Sequence, residues 1–141
     1  MLTDVRNRCN AAEECYEFML AYAAQGLPSD AGSKSGGQIR EFLGRAVEAL
    51  DGLSENCAMA VKEAGLDSPE KYSVFFAVLE RDASDSLAAL DLVLAQPVIS
   101  SQLIDNLNAS IHLRALLTDL FLINDILSAA NKATQTTASS S

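Results

Sequence analysis

Ile111–Ala130 reads IHLRALLTDLFLINDILSAA, and thirteen of these 20 residues are apolar. On a helix, Leu113, Leu116, Leu117, Leu120 and Leu127 form one stripe, and Ile111, Ala115, Leu122 and Ile126 form another. Phe121 lies between the two on the far side. One stripe is what a helix needs to pack on one side of a small bundle. Two stripes need cover from two directions, more than a 141-residue chain readily provides. The expectation is a second copy across the outer surface, closed by a twofold axis, with Leu113, Leu117, Leu120, Phe121 and Ile126 at the interface.

Working outward, the same helical spacing recurs three times. Leu2, Val5, Cys9, Ala12, Tyr16, Met19 and Ala23 repeat at intervals of three and four, which predicts a helix over 4–25 with Thr3 as N-cap and Gly26 as its stop. Ile39, Leu43, Ala46, Leu50, Leu53, Cys57, Ala60 and Ala64 predict a second helix over 38–64, ended by Gly65. Ser68-Pro69-Glu70 gives an N-cap, a proline in the first helical position and an acid in the first turn. The third helix then spans 69–95 on Tyr72, Phe76, Leu79, Ala83, Leu87, Leu90 and Leu94, and stops before Pro97. Ser100 caps a fourth helix over 101–131, with Ile99 and Ile104 placed for a hydrophobic staple.

GLPSDAGSKSGG at 26–37 has no apolar period and is read as a flexible loop, with Ser35-Gly36-Gly37-Gln38 in the spacing of a capping box. It lacks the GxxxxGK[ST] pattern that a phosphate-binding loop needs. The tail over 133–141 has no apolar anchor and is read as disordered. The predicted fold is therefore all-α, an up-down antiparallel four-helix bundle in a single domain over 1–132, dimeric through its fourth helix. Its helices would be roughly 33–46 Å long, a slim rod unless the fourth breaks near Asn108.

The chain has 19 acidic and ten Lys or Arg residues, a net charge of −9, and a pI near 4.4. No segment is basic, so nucleic acid and anionic membrane surfaces are not the expected partners. A basic protein partner would find Glu80, Asp82, Asp85 and Asp91 on the third helix. Arg114, Asp119 and Asp125 interrupt the one long apolar run and argue against a membrane span. The N-terminus has no signal-peptide pattern. Three cysteines without a CxxC pair fit small apolar residues in a reducing, cytoplasmic compartment, with a Cys9–Cys57 bridge as the alternative.

His112 is the only histidine. On a continuous helix it shares a face with Asp105, Asn108 and Asp119, which makes these four a candidate polar site. One histidine without a Glu-x-x-His repeat does not build a bundle metal site, and no cofactor is expected. No nucleophile has a base at a telling spacing. Ser110-Ile111-His112-Leu113-Arg114 resembles the phosphoacceptor helix of histidine phosphotransfer domains over five residues, without the glycine that follows the histidine there. That resemblance implies a phosphoacceptor role for His112, which requires a ring in water.

The residues thus point to a non-catalytic cytoplasmic module that binds another protein, as an adaptor, assembly factor or regulator, and also itself. The alternative is a sensor or carrier with an apolar small molecule held between its helices. Histidine phosphotransfer stands third.

Overall fold

A computed structural model describes residues 2–66 and 69–140, with the side chains of 69 and 134–140 left aside. Among the described residues the protein is all-α, with six helices and no strand. They are α1 (Leu2–Ala24), α2 (Lys34–Leu50), α3 (Leu53–Glu63), α4 (Pro69–Leu94), α5 (Ser101–Ala109) and α6 (His112–Ser140). The expected second and fourth helices are each two.

The first break falls at Asp51-Gly52. Asp51 is extended, and Gly52 takes φ +69°, which glycine adopts without a side-chain clash. Arg8 closes the break from α1, donating to the carbonyls of Ala49 at 3.0 Å and Asp51 at 2.5 Å. The periodicity hid this break because Leu50 and Leu53 are three apart on either side of it. Both are buried, and the seam runs on undisturbed.

The second break is at Ser110-Ile111. The Ser110 N–H donates to Asn106 O at 3.1 Å, and its hydroxyl donates to Leu107 O at 2.5 Å, which closes α5. Ile111 then takes φ +61°. A β-branched residue in the left-handed region is strained, at a cost on the order of 1–3 kcal/mol.

The joint between 25–33 and 95–101 is richly bonded. Ser33, and not Ser35, caps α2, its hydroxyl accepting from the Gly36 N–H at 2.9 Å, so α2 starts four residues before the expected Gln38. Leu27 and Ser101 tie the two loops with reciprocal 2.8 Å bonds. Tyr22 donates its hydroxyl to Ile99 O at 2.6 Å. Asp30 accepts from the Ile99 N–H at 2.7 Å and from Arg40 Nε at 2.5 Å, and Arg40 reaches on to the carbonyls of Leu94, Gln96 and Pro97. The bond to Leu94 O satisfies the last carbonyl of α4, and those to Gln96 and Pro97 hold the loop that follows it. The bonds to Asp30 hold its carboxyl below its usual range, the Arg40 bond first and the Ile99 N–H next.

The core draws on all six helices. Val5, Cys9, Ala12, Cys15, Met19 and Tyr22 from α1 meet Ile39, Leu43, Ala46, Leu53, Cys57, Leu79, Ala83, Leu90, Ile104, Leu116, Leu120 and Ile123. Both α1 and α4 pack against all of α2, α3, α5 and α6, so the two unbroken helices stand across the core from each other with the broken pairs between them. Ser100 caps α5 as expected, accepting from the Leu103 N–H at 3.0 Å, and both Ile99 and Ile104 are fully buried. The expected Ser68 cap lies outside the described residues. α6 carries on through 133–140, the segment read as a tail, where side chains after Ala133 lie outside the described residues. No helix among the described residues is long and apolar enough to cross a membrane.

Candidate functional site

α6 divides its two stripes cleanly. Leu113, Leu116, Leu117, Leu120 and Leu127 are buried in the chain's own core, and Ile123 joins them. Ile111, Leu122 and Ile126 remain exposed, as does Phe121 at 42%. Of the five residues expected at an interface, Leu113, Leu117 and Leu120 thus face inward, while Phe121 and Ile126 face out.

Part of the exposed side of α6 lies beside α1, while Leu122 and Ile126 are not among the residues that face it. Between them runs an open groove of about 650 Å³. α1 supplies Glu13, Tyr16, Glu17 and Leu20, spaced so that one helix face presents all four. α6 supplies Arg114, Ala115, Leu117, Thr118 and Phe121, and Ile111 joins them from the turn just before it. The walls are mainly apolar, with Arg114 on the α6 side and two acids on the α1 side. Leu20, Ile111 and Phe121 are large apolar side chains left in water here, Ile111 at 58%. Exposed apolar groups that line one groove are the usual mark of a surface that receives something.

The four-residue polar site does not assemble. It required one continuous helix through 105–119, and the turn at Ile111 re-aims everything before it. Asp105 is exposed on α5 and lines a separate open groove of about 520 Å³ with Leu20, Leu27 and Gln102. Asn108 is half-buried, and its Oδ1 finds no donor. His112 is exposed at the first residue of α6.

Asp119 has turned the other way and is buried at 8% exposure. Its neighbour is the half-buried Asp82 of α4, within hydrogen-bonding reach. Burial first, then the Asp82 carboxyl, push the acid of Asp119 up to about 7. Sequence reasoning missed this pair because Asp82 looks like one acid among several on an outer face. Leu20 was missed for a similar reason: nothing in α1 tells which flank will border α6.

Burial holds the three cysteine thiols above their ordinary range. All three are buried free thiols. Burial pushes Cys15 and Cys57 up to about 12. Among the described residues, no three His, Cys, Asp or Glu side chains cluster to hold a metal ion. Comparison with known protein families, curated proteins and solved structures finds no match to this chain.

Proposed function

We propose that this protein is a non-catalytic cytoplasmic binding module, an up-down four-helix bundle with its second and fourth rods each bent once, which pairs with a second copy through the α1–α6 groove. The observation that carries this reading is Ile111. A bulky β-branched residue sits at φ +61° with most of its side chain in water, at the mouth of an apolar groove. Neither property favours the isolated chain. Strain that persists at an exposed position points to use of that position.

The occupant is argued from charge and shape. Arg114 on one wall and Glu13 and Glu17 on the other are self-complementary about a twofold axis, each arginine meeting the other copy's acids. Phe121 and Ile111 are likewise both wall and ridge, able to fill the groove from which they project. Buried thiols support a reducing compartment. A second reading, an apolar small molecule in the groove, is favoured by its volume and apolar lining; its openness to solvent favours a protein surface.

Sedimentation velocity of the full chain at micromolar concentration tests the pairing. A dimer is expected, reduced to monomer in Phe121→Asp. Ile111→Gly separates strain from contact: it should raise the stability of the monomer by about 1 kcal/mol while weakening association. A wild-type monomer throughout the micromolar range would refute the reading. Native mass spectrometry that finds a monomer with a retained apolar ligand would decide for the second.

A further inference from the structure

The α4–α6 seam holds a group that the docking groove does not use. Asp119 is almost wholly buried, and one of its carboxyl oxygens, Oδ2, has no hydrogen-bond donor. What it meets across the seam is the Asp82 carboxyl. Two ionised carboxylates are acceptors only, and in contact away from water they repel. A single proton shared between them changes the sign of the contact, since the protonated acid donates to the other. One turn after Asp82, Ser86 is also buried in α4, at 1% exposure, and its hydroxyl has no partner either. The fold thus leaves a carboxyl oxygen of α6 and, one turn along α4 from Asp82, a buried hydroxyl without partners.

Among the described residues no cation offsets the charge. No Lys or Arg among them pairs with Asp82 or Asp119, and Asp82 is the only charge acting on Asp119. The other helices packed on α6 bring their charges elsewhere. Glu13 and Glu17 of α1 line the groove with Arg114, Glu63 of α3 lies in a groove beside Leu127, and Asp105 of α5 faces the groove beside Leu27. His112 precedes Asp119 by two helical turns and is exposed.

We propose that the α4–α6 seam is a proton-operated latch, in which Asp82 and Asp119 hold α6 against α4 while they share a proton, and release of that proton to water lets α6 part from α4. The latch acts whether or not α6 meets a second copy. The direction follows from linkage. An acid held high in the folded protein, but ordinary once α6 has opened, makes the closed state bind the extra proton. Closing is therefore strongest below the ordinary carboxyl range and weakens as pH rises to the folded value. Above that it changes no further. For one proton, the opening constant rises by at most about tenfold per pH unit.

The experiment is a carbon-detected NMR titration of the carboxyl groups in the full chain between pH 3 and 9, with amide hydrogen exchange of α6 over the same range, corrected for the intrinsic rate. The expected result is one carboxyl transition near neutrality, absent in Asp119→Asn, with α6 protection falling several-fold to tenfold per unit through pH 5–7 and staying level in that variant. If Asp119→Asn does not fold, Asp82→Asn and the wild-type curves serve: the transition should move toward the ordinary carboxyl range in the former. The latch is overturned if both acids titrate in the ordinary range, or if corrected α6 protection is independent of pH.

Discussion

Replacing Ser101 with alanine should loosen the joint between the two loops more than the loss of one oxygen suggests. The hydroxyl is buried and works twice, donating to Tyr22 O at 2.6 Å and accepting from the Leu27 N–H at 2.8 Å. Tyr22 O keeps a second bond, from the Gln25 N–H at 3.2 Å, so its loss is the net value of one hydrogen bond, about 0.5–1.5 kcal/mol. The Leu27 N–H is left without its partner, which costs a further ~1–3 kcal/mol for a buried donor. Leu27 is only partly buried, so water recovers some of that, and the sum is about 2–3 kcal/mol. The backbone bond from the Ser101 N–H to Leu27 O survives the change and keeps the loops in register. Against a total stability of roughly 5–15 kcal/mol this is a large share. Urea denaturation followed by circular dichroism measures it: the midpoint should fall with the slope unchanged. A loss under about 0.5 kcal/mol would refute the reasoning, because it would mean that the loops are held by packing alone.

Two further substitutions test the same joint, with Gly44 in α2 as a control. Gly36→Ala should cost about 3 kcal/mol or more in the same assay, because its Cβ would come within 1.7 Å of Asp30 O and push away the residue that holds Arg40 and Ile99; Gly44→Ala, with open space around it, should instead stabilise by about 0.5–1 kcal/mol. Asp30 is held below its usual range, so its contribution is present above the ordinary carboxyl value and lost as pH falls through the lowered one; the acid side of a stability-versus-pH curve should therefore be shallower in Asp30→Asn, and an unchanged curve would remove Asp30 from the account.

The sequence was most readable where period and punctuation agreed. Val5, Cys9, Ala12 and Met19 of the α1 seam, the stop before Pro97 and the Ser100 cap lie where local chemistry puts them, whereas Cys15 and Tyr22 take the core places expected of Tyr16 and Ala23, which are half-buried. The breaks were read less well: rod length alone allowed one near Asn108, close to the observed turn, and local pattern decided neither, for two different reasons. Asp51-Gly52 carries a turn signal, but the spacing across it preserves the seam and outweighs the signal. Ser110-Ile111 carries none, since isoleucine is among the last residues to suit a left-handed turn; only tertiary packing places it there. Read as one continuous helix, His112, Asp105, Asn108 and Asp119 looked like one polar face. The two stripes of α6 were legible, whereas which of them the chain would cover depended on where α1 and α4 came to lie. The groove and the acid pair are both properties of neighbours distant in sequence, and no local pattern encodes them.

The three sealed thiols make the protein a timekeeper of its own opening. A neutral, water-excluded sulfur does not react with an alkylating reagent, so labelling must wait until helices separate around it. Cys9 and Cys15 belong to α1 and Cys57 to α3, and the order in which they become modified therefore reports which part of the interior opens first, without any added probe.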